Sequence, residues 1–326
     1  MGLDDKPRVA VLYGGNSNER DVSLRSGLAV GRALLQVGYS VLMLDTRHVP
    51  PAQFDVGALD VCFIALHGAF GEDGGIQAIL DDMAIPSTGS GAPASRAAMD
   101  KRLSKQHFEA AGVRTAPYEA IDREWPLDRQ VAAARSLGFP LIVKPAADGS
   151  SVGVSKVDDA AQLPAALALA TASHRFALAE QFIGGPELTV GVLDDCPLPL
   201  IQILYTGPVW TRGDKYAPGA SQHVLNPPLP PGVAREVIDL ALGAHHALGC
   251  EGCTRVDLRL DETLCPWVLE VNTIPGMTET SLIPDAARAA GIPFPRLCER
   301  LVEIALRDRS KRHPVSHSAL VHSVGV

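Results

Sequence analysis

Hydrophobic and polar positions alternate most regularly in two short stretches late in the chain. Across residues 254–260, Val256, Leu258 and Leu260 share one face and Arg255, Asp257 and Arg259 the other. That is the period of a half-buried strand. Across residues 267–272, Leu269 and Val271 oppose Val268, Glu270 and Asn272. Residues 261–266 between them have turn composition. The pattern predicts an antiparallel hairpin with Asp257 opposite Glu270 and Arg255 opposite Asn272. Such cross-strand neighbours stand about 4.5–5.5 Å apart at Cβ.

Upstream, short apolar runs alternate with helical periods. A strand over 8–13, a loop at Gly14-Gly15 and a helix over 24–38 form the first unit of an α/β domain. Residues 39–44 and 61–66 predict further strands, and 79–83 and 86–91 close this domain near Ala94. One helix is predicted over 95–111, a short strand over 116–119 and a second helix over 128–137. Strands over 141–145 and 154–157 flank a loop rich in Gly and Ser, and further strands are predicted over 177–183 and 200–205. The polar loop over 210–222 has the length of a functional or disordered segment. Helices are predicted over 233–248, 286–290 and 294–306. The tail from Lys311 has no core-facing pattern, and disorder is the default for such an end.

Composition narrows the function classes. A chain of 326 residues suits two or three domains. A net charge of -8 is the wrong sign for a nucleic-acid footprint. No apolar run approaches the roughly 18 residues that span a bilayer. The start shows no signal-peptide pattern, and Lys6 stands where a myristoylation signal needs Ser or Thr, so a cytoplasmic location is expected. The six cysteines are scattered, and Cys250-Glu-Gly-Cys253 is a lone CxxC, so reduced thiols without zinc or redox use are expected.

The hairpin carries the first candidate chemistry. Two carboxylates that close repel unless a cation lies between them. Asp257, Glu270 and the Asn272 amide offer hard oxygen donors suited to Mg²⁺. The loop that follows, Thr273 to Thr278, offers N–H groups and hydroxyls next to that site. A surface hairpin with incidental charges is the plain alternative. The Gly/Ser loop at 146–153 lets backbone N–H groups approach phosphates, with Lys101 and Lys144 supplying charge. The loop after the first strand is not GxGxxG, so dinucleotide binding is not supported. Glu19 near a helix start would ordinarily just complement the helix dipole. His67 stands at a strand's C-terminal end, where open α/β sheets bind ligands.

RVDLRLD, LEVNTIPGMT and SLIP resemble the metal and substrate hairpin of the ATP-grasp ligases, specifically the D-alanine–D-alanine ligases. GGNSNERDVSL is similar to that family's GG-x-S-x-E-R-x-VSL, and ALHGAFGEDGGIQ to its ALHG-x-x-GEDG-x-x-Q. VKPAADGSSVGV resembles its phosphate-covering loop. The resemblance covers roughly residues 8 to 307 with its motifs in family order.

It implies a fold of α/β and α+β type, a three-domain ATP-grasp architecture with an N-terminal open α/β domain. The divisions expected are 1–94, 95–184 and 185–310, with a tail over 311–326. It implies ligation of two D-alanine molecules with ATP through a D-alanyl phosphate, for peptidoglycan precursors. The resemblance also assigns roles. Glu19 takes the amino group of the first D-alanine, and His67 serves the substrate side. Lys101, Lys144 and Ser151 hold phosphates; Glu180, Gln181, Phe182 and Ile183 form the adenine linker; Glu187 takes the ribose hydroxyls. Gln181 stands where many relatives carry lysine, which puts one adenine-side contact in question. Arg255 and the N–H of Gly276 face the acyl phosphate and oxyanion, and Ser281 and Leu282 the second substrate's carboxylate. Asp257, Glu270 and Asn272 hold two Mg²⁺ or Mn²⁺. Lys215 and Tyr216 belong to a mobile loop, Lys215 assisting with the phosphate and Tyr216 forming a hydrogen-bonded set with Glu19 and Ser150. Tyrosine at 216 favours D-alanine over D-lactate as nucleophile. A homodimer is expected from the family. The rival readings are a ligase making D-Ala–D-lactate or D-Ala–D-Ser, and a non-catalytic nucleotide-binding module; the three intact metal ligands argue against the latter.

Overall fold

The computed structural model describes residues 6–149, 151–207, 209–210 and 220–312, with side chains as far as residue 307. Its strands form three sheets. In the first, β1 (Arg8–Tyr13) lies between β2 (Ser40–Asp45) and β3 (Val61–Ile64), all parallel. Helix α1 (Arg20–Gln36) makes the first crossover and starts earlier than the apolar period suggests. Its first turn is polar but satisfied from outside. The buried Ser23 hydroxyl donates to the carbonyl of Ala65 at 2.6 Å and accepts the N–H of Gly14 at 2.8 Å. A Cβ on Gly27 would stand 2.3 Å from Tyr13 Cβ, so only glycine lets α1 lie this close to β1.

Helices α2 (Gly75–Asp82), α3 (Ala92–Met99) and α4 (Lys101–Ala110) lead to the second sheet. The single helix expected over 95–111 is two. Asp100 adopts φ -85°, ψ 102°, and its carboxylate caps the new helix by accepting the Arg102 N–H at 3.0 Å. The break points Lys101 across the loop at 146–149: its N–H donates to the Ala146 carbonyl at 2.8 Å and its Nζ to that of Asp148, also at 2.8 Å.

The second sheet has the order β4-β7-β5-β6 and is antiparallel throughout. It comprises β4 (Tyr118–Asp122), β5 (Leu141–Pro145), β6 (Ser155–Val157) and β7 (Phe176–Gln181). Helices α5 (Leu127–Arg135) and α6 (Leu163–Ala170) seal one face around Ile121, Leu141, Val143 and Leu167. Helix α6 is absent from the sequence pattern because LPAALALA is apolar all round and shows no helical period.

The third sheet runs β11-β10-β8-β12-β13, with β9 beside β8. It comprises β8 (Glu187–Leu193), β9 (Cys196–Pro197), β10 (Ile201–Tyr205), β11 (Ser221–Leu225), β12 (Cys253–Leu260) and β13 (Pro266–Asn272). Strand β8 escapes the pattern for a different reason: both its faces are buried, Glu187 and Thr189 included, so its polar positions do not mark a solvent side. Helix α7 (Pro231–Ala247) covers one face through Val237, Ala241 and Ala244. Helices α8 (Leu282–Ala289) and α9 (Phe294–Arg312) cover the other. There one continuous core joins Ile201, Leu282 and Val302 to Val9, Val30 and Phe63 of the first sheet.

The hairpin pairs as the alternation predicts, Asp257 opposite Glu270 and Arg255 opposite Asn272. One detail corrects the expected facing. The register shifts beyond Asp257, so that Leu258 pairs with Val268 and Leu269 is an extra residue. A bulge of this kind re-aims side chains on its strand. Val268 therefore joins Val271 in the core instead of sharing the face of Glu270 and Asn272, while Leu269 turns to a pocket beside the second sheet. The bulge is held from outside: the Val268 N–H donates to the Arg114 carbonyl at 3.0 Å, and Thr115 Oγ1 donates to the Val268 carbonyl at 2.8 Å. Val268→Ala is expected to cost about 2 kcal/mol in urea unfolding, because a fully buried valine is lost. Leu269→Ala should cost under half of that, because Leu269 lines a pocket and not the core. Equal stability losses would show that the two residues do not face different environments.

Candidate active site

The hairpin brings its charges to one face of the third sheet. Arg255 Nε and Nη2 grip the Asp257 carboxylate at 2.9 and 2.8 Å. Thr189 Oγ1 on β8 donates to Asp257 Oδ1 at 2.7 Å. Glu270 Oε2 lies 3.3 Å from Lys101 Nζ. The Asn272 amide oxygen accepts the Ile274 N–H at 3.0 Å, which turns the chain out of β13 and orients that oxygen. Asp257, Glu270 and Asn272 thus form a set of hard oxygen donors with one fixed carboxylate, beside a cavity large enough for polyphosphate. The set fits a hard divalent cation.

That cavity is about 710 Å³ and opens between the first and third sheets. Glu19 and His67 reach it from one side, and Arg255, Gly276, Ser281 and Leu282 from the other. Glu19 sits just ahead of α1 without capping it, and its Oε2 would be 2.8 Å from a Cβ on Gly68 and 3.4 Å from one on Gly149. Glycine at 68, where φ is +74°, is what leaves room for the carboxylate; at 149 a Cβ would only touch it. His67 is clamped: Nε2 is 2.9 Å from Ser26 Oγ and Nδ1 3.3 Å from Glu72 Oε1. Burial pushes the Glu72 carboxyl up; its bond to His67 opposes the shift and the Glu19 charge adds to it. The Met277 N–H donates to the same Ser26 hydroxyl at 3.3 Å, so the loop after β13 and the first sheet share one network. Ser281 stands at the N-cap of α8, its Oγ 2.7 Å from Thr278 Oγ1 and 3.2 Å from where a Cβ on Gly276 would be.

A narrower pocket continues between the second and third sheets, lined by Lys144, Phe182, Glu187, Asp257, Leu269 and Glu270 among others. Glu187 accepts a hydrogen bond from the Tyr205 hydroxyl. The N–H groups of Gln181 and Phe182 are engaged with the carbonyls of Pro117 and Pro140 at 2.9 and 3.1 Å. Glu180 also lines this pocket, but its carboxylate lies between Lys105 Nζ at 2.8 Å and Lys144 Nζ at 2.6 Å. Burial alone would raise that carboxyl; Lys105 and then Lys144 outweigh it, and it titrates below its ordinary range. Burial pulls the Lys105 ammonium down against the attraction of Glu180.

Comparison with known proteins places this geometry. The family model "D-ala D-ala ligase C-terminus" matches residues 107–303. The D-alanine–D-alanine ligase of Anaeromyxobacter sp. (strain K) is 43% identical over 303 residues, covering 91% of this chain and 96% of its own. That of Pelobacter propionicus is 45% identical over 296 residues, covering 90% and 94%. The chain belongs to the D-alanine–D-alanine ligase family. It has the ATP-grasp fold of that family: the crystal structure of the Bacillus anthracis D-alanine–D-alanine ligase complexed with ATP superposes with a TM-score of 0.83 at 30% identity, covering 94% of this chain and all of that one.

Within this D-alanine–D-alanine ligase family member, most of the residues singled out from sequence line the two connected pockets. Ser150, Lys215 and Tyr216 lie outside the described residues, as does the tail from residue 313. The structure adds residues that sequence reasoning passed over. Lys105 follows Lys101 by one helical turn of α4, and that spacing could have signalled it. Glu72 sits inside the GEDG motif but was given no role. His223 on β11, 2.8 Å from Asp285 Oδ2 through Nδ1, also faces the larger cavity and left no trace in the pattern. Among the described residues no helix is long and apolar enough to cross a membrane.

Proposed function

We propose that the chain joins two molecules of D-alanine to D-alanyl-D-alanine with cleavage of ATP to ADP and phosphate. The observation that supports this best is that Glu19, Arg255, Gly276, Glu270 and Asn272 line one cavity, with Asp257, opposite Glu270, lining the pocket that continues from it. The first D-alanine places its ammonium at Glu19 beside His67. Its carboxylate oxygen attacks the γ-phosphorus, forming a new P–O bond as the bond to ADP breaks. Lys101 and Lys144, with the loop carrying Ser150 and Ser151, hold the phosphates. Arg255 and the Gly276 N–H steady the acyl phosphate and then the tetrahedral oxyanion. Ser281 and Leu282, at the start of α8, take the carboxylate of the second D-alanine, as helix N-termini suit anions. Its deprotonated amine attacks the acyl carbon, and phosphate leaves. Bound at Asp257, Glu270 and Asn272, two Mg²⁺ or Mn²⁺ would offset the charge of the transferring phosphoryl group.

In this reading the adenine lies along the linker Glu180 to Ile183 and the ribose hydroxyls meet Glu187. With the N–H groups of Gln181 and Phe182 engaged elsewhere, the linker reads the base through its carbonyls and through Ile183. Lys215 assists with the phosphate, and Tyr216 favours D-alanine as the nucleophile. The divisions near residues 94, 184 and 310 delimit the working units, and the enzyme acts in the cytoplasm as a homodimer, supplying peptidoglycan precursor synthesis. Phosphate release is expected with D-alanine alone, giving the dipeptide by mass spectrometry, with little product from D-lactate or D-serine added beside it. A preference for D-lactate at neutral pH, or ATP binding without phosphate release, would overturn the assignment.

A further inference from the structure

Away from both pockets, the turn between β8 and β9 and the end of α7 bring three metal-binding side chains together. Asp195, His245 and His246 place one ligand atom each within 4.8 Å of one another. Asp195 Oδ1 lies 3.4 Å from His245 Nε2 and 3.2 Å from His246 Nε2. Bonds of about 2.0–2.1 Å to a tetrahedral ion give ligand–ligand edges of about 3.3–3.4 Å. Two edges of such a site are therefore already in place. We propose that Asp195, His245 and His246 form a binding site for one divalent ion of the zinc class, structural in role and separate from the phosphate-binding cations.

The second observation concerns His245. Its side chain is fully buried, and Nε2 has no hydrogen-bond partner among the described residues. Nδ1 is engaged by Thr254 Oγ1 at 2.7 Å. With the proton on Nδ1, the Nε2 lone pair faces a carboxylate oxygen; with the proton on Nε2, the donor has only the Asp195 oxygen 3.4 Å away and makes no well-aligned bond to it. A cation shared between Nε2 and Asp195 resolves both cases, and the Nδ1 bond then acts as the outer contact that orients a ligating imidazole. Two imidazoles and one carboxylate suit a borderline transition ion better than Mg²⁺.

The scaffold is preset for this. Asp194 and Asp195 both have positive φ, 55° and 61°, the backbone of a tight two-residue hairpin turn. The Asp194 N–H donates to the Gly252 carbonyl at 2.8 Å, and its carboxylate is held by Arg307 at 2.6 and 2.9 Å. That leaves Asp195 as the carboxylate facing the histidines. Both histidines lie in the last turn of α7, where the helix dipole favours a cation. An ion here would fasten the β8–β9 turn to α7 and, through Thr254, to the strand that carries Arg255 and Asp257.

The test uses the full chain in excess Mg²⁺, which competes for carboxylate sites and not for imidazoles. Calorimetric titration with Zn²⁺ should give one ion per chain at micromolar affinity or tighter. Co²⁺ should give the visible absorption of a four-coordinate site, and Zn²⁺ should raise the melting temperature. His245 is buried and its variants can fail for structural reasons, so the exposed ligands carry the test. His246→Ala and Asp195→Asn should each weaken Zn²⁺ binding by at least about 10²-fold and abolish the thermal shift. Binding unchanged in both variants, or lost on adding Mg²⁺, overturns the proposal.

Discussion

Glu270→Gln is expected to lower the turnover number by at least about 10³-fold at saturating Mg²⁺, a loss of about 4 kcal/mol of transition-state stabilisation. Glutamine keeps the size and hydrogen-bonding reach of the side chain but removes one formal charge from the middle of the site. Glu270 lies between Asp257, its cross-strand partner, and Lys101 Nζ, 3.3 Å away. Both pockets share it, and in the proposed function it is the carboxylate that would serve two ions. Its side chain is 30% exposed, so the change should leave folding stability within about 1 kcal/mol. The measurement is steady-state phosphate release across Mg²⁺ and Mn²⁺ concentrations, with urea unfolding as the control. Near-normal turnover at saturating metal would mean that the cations bind elsewhere. A loss matched by an equal fall in stability would mean that the residue is structural.

Much of this site could be read from the chain because its chemistry lies on a strand with a strict period of two. Arg255, Asp257, Glu270 and Asn272 announce their shared face by alternation alone, and the structure pairs them as expected. The same logic failed where periodicity is absent or broken. Helix α6 is apolar throughout and carries no phase, and strand β8 buries Glu187 and Thr189 along with its apolar residues, so its polar positions mark no solvent face. The Leu269 bulge costs nothing in composition, so Val268 was assigned to the wrong face. Asp100 looked like an interior helix residue, although an aspartate that can cap a helix can also divide one. The roles of Glu19 and His67 came from motif resemblance and not from pattern. Only the fold shows how glycine at 68 makes space for the one, and how Ser26 and Glu72 clamp the other. Lys105 and Glu180 were least legible, because a buried charge network is a property of tertiary contact.

That network should dominate the response of the fold to acid. Glu180, Lys105 and Lys144 are each under 10% exposed, and the carboxylate touches both ammonium groups. Lys105 is further bonded to Thr115 Oγ1 at 2.7 Å and the Ala116 carbonyl at 3.0 Å, and Thr115 in turn holds the bulge in β13. Removing one partner of such a pair leaves an uncompensated buried charge. Glu180→Gln is therefore expected to cost about 3–5 kcal/mol at pH 7, measured by urea unfolding. Lys105→Met in the same chain should return a large part of that loss, since no isolated ammonium then remains at the fully buried position. Lys144 lines the pocket proposed for the nucleotide and would be neutralised there by phosphate. The pH dependence follows from the depressed carboxyl. Glu180 titrates in the folded chain below its ordinary value of 4.5, so the unfolded chain binds more protons in that window. Its contribution is present above the unfolded value and is lost as the pH falls through the folded one. The stability gap between wild type and Glu180→Gln should thus be flat above about pH 5 and close progressively in more acid solution. A gap that stays constant into the acid range, or a double variant no more stable than Glu180→Gln, would show that the triad does not hold the second sheet to the hairpin by charge.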